Sequence, residues 1–155
     1  MPIGNMLKDV YLFKDLDARE LALIAEIASE QKLSQGDEIF TIGQEAKSFY
    51  LLRLGSVKIY STTKAGTDSN IAMLGSGSHF GEIPYLDGGK RTATALVAET
   101  CHVIEIPYEK LREKMATNDK MAVKVYKAWG KFLAARLRAT LDDLGQARET
   151  KLKHF

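Results

Sequence analysis

Phe80-Gly81-Glu82-Ile83-Pro84-Tyr85-Leu86-Asp87-Gly88-Gly89-Lys90-Arg91-Thr92-Ala93-Thr94 places one acid and one arginine nine residues apart around a glycine-rich turn. An ionised carboxylate such as Glu82 only accepts hydrogen bonds, which suits a ribose hydroxyl, whereas the planar guanidinium fork of Arg91 suits phosphate oxygens. Together they have the chemistry to read a sugar phosphate. A short helical turn over Ile83 to Leu86 would point its first amides at the same anion. The competing reading is a surface ion pair between Glu82 and Arg91 beside an ordinary turn, and two charges at that spacing do not decide between the two.

Outward from this stretch the texture changes twice. Asp17-Ala18-Arg19-Glu20 has the form of a capping box with Asp as the cap, and Leu21, Ile24 and Ala28 recur on one helical face until the polar Ser29-Glu30-Gln31. This predicts an entry helix. From Gly36 to Ile106 short apolar runs are punctuated by glycine: Ile39 to Ile42, Phe49 to Leu54, Val57 to Tyr60, Ile71 to Leu74, Ala93 to Ala98 and Cys101 to Ile106. Short strands with turns between them point to a sandwich or barrel. The most polar connection, Thr63-Lys64-Ala65-Gly66-Thr67-Asp68, reads as an exposed hairpin tip. Pro107 reads as the first residue of a helix reaching about Met115, since its missing amide is harmless there. Thr117-Asn118-Asp119 can cap a longer helix from Lys120 to about Leu144, with Gly145 as its stop.

Composition bounds the function. A length of 155 residues, 45% apolar and 27% charged, fits one globular, soluble domain. The start lacks the basic and apolar segments of a secretory signal, and no run approaches about eighteen consecutive apolar residues, so neither secretion nor a membrane is expected. Cys101 is the sole cysteine. An internal disulfide is therefore impossible, a reducing cytoplasm is the natural setting, and strand packing is its expected role. From Lys120 onward nine Lys or Arg face three acids, while the rest of the chain is net negative. A basic helix could attract nucleic acid or an acidic membrane, but Lys124, Lys127, Lys131 and Arg138 are spaced as a solvated helical face. His79, His102 and His154 are too scattered for a metal site, with no His-x-His or Cys-x-x-Cys spacing. No G-x-S-x-G elbow or Walker loop is present, and Gly75-Ser76-Gly77 lacks the context of a dinucleotide fingerprint. An enzyme is not expected.

The opening stretch resembles the phosphate-binding cassette of the cyclic-nucleotide-binding domain family, whose pattern runs Phe-Gly-Glu-Leu/Ile, a short apolar turn, then Arg-Thr/Ser/Ala-Ala. Gly36-Asp37-Glu38-Ile39-Phe40 with Gly43, Tyr50, and Gly55-Ser56-Val57-Lys58-Ile59-Tyr60 also match that family's order and spacing. The resemblance, from about Gly36 to Ile106, implies an α+β fold: a β-roll, a double-stranded jelly-roll-like sandwich, with an N-terminal helix, a short phosphate-cassette helix and C-terminal helices. It implies a domain over residues 1–145, whose terminal helix is 119–145, and a tail over 146–155. Carried onto this sequence, it assigns ligand binding to Phe80, Gly81, Glu82, Ile83, Arg91, Thr92 and Ala93. Glu82 would hold the 2′-hydroxyl with Gly81 in backbone support, and Arg91 and Thr92 would hold the cyclic phosphate of cAMP or cGMP. No other cofactor and no metal are implied.

Further along, Ala134-Ala135-Arg136-Leu137-Arg138-Ala139-Thr140 resembles the dimer helix of the family's catabolite-activator branch. Thr140 falls where the family sets a hydroxyl against the purine, and Leu141 replaces a second hydroxyl common in that branch. Val125, Trp129, Phe132, Leu133, Leu137, Leu141 and Leu144 recur at helical intervals. Val125 and Trp129 should pack on their own chain. Leu133 to Leu144 would project roughly 16 Å at about 1.5 Å per residue, so a homodimer is expected to cover those leucines. Pro84 departs from the family, which has a small residue there whose amide donates to the exocyclic phosphate; proline has none. Losing a charged hydrogen bond of about 1.5–3 kcal/mol would weaken binding roughly 10- to 150-fold.

Two functions follow: a regulatory module that senses a cyclic nucleotide and moves its C-terminal helix, or a degenerate fold kept for dimerisation or partner docking without nucleotide. A cupin-like metal enzyme is a third, disfavoured by the scattered histidines. Gln146 to Phe155 cannot build a helix-turn-helix DNA-binding domain, so the output is expected from the dimer, an effector protein or a fused domain.

Overall fold

The computed structural model describes residues 3–62, 65, 66 and 68–153. A short helix α1 (Ile3–Leu7) and a 3-10 turn (Tyr11–Phe13) lead into α2 (Ala18–Ile27). The expected capping box is formed: the Glu20 amide donates to Asp17 Oδ1 at 2.8 Å and the Asp17 amide to Glu20 Oε1 at 2.9 Å. Leu21 and Ile24 are buried on the inward face.

The strands are β1 (Ser29–Leu33), β2 (Glu38–Phe40), β3 (Ser48–Thr62), β4 (Asp68–Leu74) and β5 (His79–Phe80), then the short helix α3 (Ile83–Asp87) and strand β6 (Thr94–Pro107). All pairings are antiparallel. The order is β1-β6-β3-β4, with β2 also on β6 and β5 also on β3. The result is the α+β roll, with helices at its ends.

Two expected strand pairs are single strands. Phe49 to Leu54 and Val57 to Tyr60 belong to β3, which bends through shifted register between Leu52 and Val57. Gly55 makes the bend possible: at φ +93°, a Cβ there would sit 2.3 Å from the Thr100 carbonyl oxygen. Likewise Ala93 is followed by one strand, not two, because β6 pairs with β3 on both sides of that bend. Ser29 to Leu33 is the strand that the pattern hid. Its polar residues form an edge with no apolar alternation, and its partner, β6, organises it. Thr62 pairs with Asp68 across the β3–β4 hairpin; Ala65 and Gly66 at its tip are exposed, while Thr63, Lys64 and Thr67 lie outside the described residues.

The two-residue period of the long strands divides the core in two. Phe49 and Leu51 of β3 and Ile104 and Ile106 of β6 face the helices, where they pack with Phe13, Leu111, Met121, Val125 and Trp129. Leu52, Val57, Ala95, Val97, Cys101 and Val103 face the interior of the roll with Phe40 and Phe80. Cys101 is wholly buried and packs there, as expected.

Helix α4 spans Tyr108–Ala116 and α5 spans Asp119–Lys153. Pro107 is not the first helical residue: at ψ 135° it is still extended, pairs with Ser48 and serves as the cap. Gly145 does not stop α5 either. Its φ is not positive and open space surrounds it, so the only cost is the helix propensity difference from alanine, about 1 kcal/mol. Val125 and Trp129 are buried against the chain's own core, whereas Leu137, Leu141 and Leu144 are exposed. No helix among the described residues is long and apolar enough to cross a membrane.

Candidate functional site

Gly81 makes room for the centre of the site. It holds φ +86°, and a Cβ there would lie 2.9 Å from Arg91 Nη1 and 3.2 Å from the Phe40 ring. Without a side chain it lets the guanidinium reach its carbonyl.

Arg91 is fixed from both ends. Its amide donates to the Gln44 carbonyl at 2.9 Å and its carbonyl accepts from the Gly43 amide at 2.8 Å. Nη1 donates to the Gly81 carbonyl at 3.0 Å and the Tyr108 hydroxyl at 3.3 Å, and Nη2 donates to the Ser48 carbonyl at 2.7 Å. The guanidinium carbon lies 3.9 Å from the centre of the Phe40 ring. The Tyr108 hydroxyl itself donates to the Gly81 carbonyl, and burial pushes its pKa up to about 12, which keeps it a neutral donor. Arg91 is only 5% exposed, yet it forms no ion pair among the described residues, and its Nε has no partner. Three of the five guanidinium donors are thus committed to the protein, leaving two. Burying a cation without a countercharge is costly unless an anion completes the site.

Glu82 lies at the other end of the turn and is 1% exposed. It does not pair with Arg91, so the surface ion pair that the sequence allowed does not exist. Its Oε1 accepts from Arg136 Nη1 of α5 at 3.4 Å, and its Oε2 has no partner. Burial raises its pKa, against the opposing pull of its own amide and of Arg136. His79 Nε2 lies 3.8 Å from Oε1. Burial, aided by Arg136, lowers the His79 pKa to about 4, so near neutrality this is a contact with a neutral ring, not an ion pair. The other side of that ring meets Phe132 edge-on at 4.8 Å.

Glu82, Arg91, Gly81, Phe40 and Arg136 line a cleft of about 330 Å³. All the residues expected from the sequence are on its walls: Phe80, Gly81, Glu82, Ile83, Arg91, Thr92, Ala93 and, from α5, Thr140. Phe80 is buried and stacks on Tyr50 at 5.5 Å, so it supports the cassette from behind. Thr92 is exposed at the mouth. The Thr140 hydroxyl donates to the Arg136 carbonyl one turn earlier at 2.9 Å. Pro84 also lines the cleft as an early residue of α3; its carbonyl accepts from the Gly88 amide at 2.9 Å, but it offers no donor.

Sequence reasoning missed Arg136, His79 and Phe40. Arg136 was within reach, because residues four apart share a helical face and Thr140 had already been placed. His79 and Phe40 carried no comparable signal: one comes from β5 and the other from β2, brought together by the roll. Among the described residues no group of His, Cys, Asp and Glu side chains is placed to hold a metal ion.

Comparison with known proteins bears on the family and the fold. Residues 30–118 match the family described as Cyclic nucleotide-binding domain. Over 95 residues, 61% of this chain and 44% of the relative, the sequence is 32% identical to the Cyclic AMP receptor protein of Thermus thermophilus. Over 90 residues, 58% of this chain and 19% of the relative, it is 32% identical to the cAMP-dependent protein kinase regulatory subunit of Candida albicans. The chain thus spans less than half the length of these curated relatives. Among solved structures, the Catabolite Activator Protein of Thermus thermophilus superposes with a TM-score of 0.76 at 28% identity, covering 87% of this chain and 62% of that one. A cyclic nucleotide-binding domain from Methylobacillus flagellatus superposes with a TM-score of 0.80 over 92% of this chain and 80% of that one; at 21% identity it speaks to the fold alone.

Proposed function

Because this chain belongs to the cyclic nucleotide-binding domain family, we propose that it is a regulatory module, not an enzyme, that senses cAMP or cGMP through the Glu82–Arg91 cleft and transmits occupancy through α5. The observation that carries this is Arg91, a buried cation held by carbonyls and aromatic faces, with no ion-pair partner among the described residues and two donors left over. A cyclic phosphate supplies the missing charge and accepts both donors as a bidentate pair. Glu82 Oε2, buried and unpartnered, then takes the ribose hydroxyl.

Coupling to α5 follows from the same carboxylate. Arg136 holds Oε1, so ligand and helix bind opposite oxygens of one side chain, and a hydroxyl arriving on Oε2 redistributes the charge that Arg136 feels. Thr140, one turn further along the helix, lines the same cleft, which supports a contact from its hydroxyl to the base. Occupancy shifts the helix only to the extent that the nucleotide binds its two positions with different affinity. Two of the relatives named above are cyclic AMP receptors or cAMP-dependent regulators, which favours cAMP. Leu137, Leu141 and Leu144, 59%, 56% and 48% exposed, support a homodimer through α5, with an effector protein or a fused domain as the output. The sole cysteine, buried and unpaired, is in keeping with a cytoplasmic location.

One observation favours the degenerate reading: Pro84 lines the cleft where an amide would otherwise face the phosphate. Calorimetric titration of the purified protein with cAMP and with cGMP, after mass spectrometry of the denatured protein to detect carried-over ligand, separates the readings. Saturable binding of either nucleotide supports the sensor. No binding to ligand-free, folded protein supports the degenerate module.

A further inference from the structure

A second cleft, of about 370 Å³, lies on another side of α5, between that helix and the 3-10 turn Tyr11–Phe13. Its lining residues include three lysines, Lys14, Lys127 and Lys131, and two aromatic residues, Tyr11 and Phe132. None of the three lysines forms an ion pair among the described residues. The one carboxylate on the wall is Asp15, and it already acts on Lys124, raising that lysine's pKa along with Glu20 and Asp17. The cleft is therefore net positive. Its size is at the lower end of small-molecule sites, about 300–1,000 Å³, too small for a partner helix but ample for a compact organic molecule.

We propose that this cleft binds a small aromatic anion, with the ring packed against Tyr11 and Phe132 and the carboxylate or phosphate between the three lysines. Aromatic side chains take a flat apolar body, and the net positive charge of the cleft selects an anion. The leucine stripe does not compete for the space. At about 100° per residue, Leu137 lies roughly 200° around the helix from Ala135, which lines the cleft, so a second copy seated on the leucines leaves the cleft open.

One wall touches the strand that enters the cassette, and the other touches the turn just before it. Phe132 packs on His79, which is 3.8 Å from Glu82. The Tyr11 amide donates to the Gly77 carbonyl at 3.4 Å, and its ring lies where a Cβ on Gly77 would come within 3.3 Å. An occupant that shifts Phe132 or Tyr11 is felt at His79, independently of whether the first cleft takes a nucleotide.

The probe for this is 1-naphthyl phosphate, titrated into the Arg91→Ala protein so that the first cleft lacks its anion donor. Saturable binding is expected, weakened at least tenfold by the double substitution Lys127→Gln and Lys131→Gln and at least tenfold for uncharged 1-naphthol. Both lysines are exposed on the helix, so the variant should fold, which circular dichroism checks. The His79 imidazole resonances should move on addition of the phosphate and stay still when Phe132 is replaced by leucine. No saturable binding, equal affinity for 1-naphthol, or binding indifferent to the lysine substitutions overturns the site. Unmoved His79 resonances in the saturated protein overturn the link to the cassette.

Discussion

Replacing Arg91 with alanine removes both donors that remain for a phosphate and the only cation among the cassette's own buried side chains. Two charge-assisted hydrogen bonds at about 1.5–3 kcal/mol each set an upper bound of roughly 3–6 kcal/mol. Water entering the truncated site recovers part of that, so a loss of about 2–4 kcal/mol is expected, or roughly 30- to 1,000-fold in Kd. Stability should change far less. The Ser48 carbonyl loses its donor, at about 1–3 kcal/mol, but an uncompensated buried charge is removed at the same time, and the Gly81 carbonyl keeps the Tyr108 hydroxyl. For a chain of this size that is a Tm change of at most several degrees, at about 2–4 °C per kcal/mol. Lys90→Ala is the comparison: Lys90 is exposed and meets only Glu45, at 3.8 Å, so it should leave affinity within about twofold. Arg91→Lys should behave nearly as badly as alanine, since one ammonium cannot serve the Ser48 and Gly81 carbonyls and still present a bidentate pair. Isothermal titration with cAMP, alongside thermal denaturation of each variant, measures both quantities. Equal, small losses from Arg91→Ala and Lys90→Ala would refute the reasoning, because the buried guanidinium would then have no part in holding the ligand.

Pro84→Ala restores an amide at the cleft without adding bulk, and α3 retains the Gly88 to Pro84 backbone bond at its end; cyclic-nucleotide affinity should rise by roughly 10- to 150-fold, and a fall would mean that the rigid ring matters more than the missing donor. Leu137→Glu with Leu141→Glu should turn a dimer into a folded monomer in sedimentation, whereas a wild type already monomeric at micromolar concentration contradicts the α5 interface. His79 has a folded pKa of about 4 against an ordinary 6.5, so the unfolded chain binds a proton that the folded chain refuses, and stability is present above about pH 6.5 and lost as pH falls toward 4. The ceiling is about 3 kcal/mol, and the raised pKa of Glu82 acts in the opposite direction; the difference in urea stability between wild type and His79→Asn should isolate the histidine, and parallel pH profiles would argue against its burial as a neutral ring.

Much of the site was legible because it is local. Glu82 and Arg91 lie on one short segment with Gly81 and α3 between them, so their chemistry and spacing survive as a string of letters. The capping box of α2 is equally local, as a three-residue reach between side chain and amide. Thr140 was singled out only by resemblance, since it lies on α5, far along the chain from the cassette.

What the sequence by itself determined was therefore the chemistry of the cassette, the short apolar runs punctuated by glycine that point to a roll, and the leucine stripe of the last helix. Tertiary structure alone decided who pairs with whom. It sent Glu82 to Arg136, not Arg91, and left Arg91 buried among carbonyls. It joined four expected strands into two, because long-range pairing outweighs a glycine bend. It carried α5 past Gly145, because a propensity cost of about 1 kcal/mol is too small to end a helix of this length. It made a strand of Ser29 to Leu33, whose residues ask for none. In each case the deciding partner is distant in sequence. Local letters record local preferences, while burial and pairing depend on neighbours that only the folded chain brings within reach.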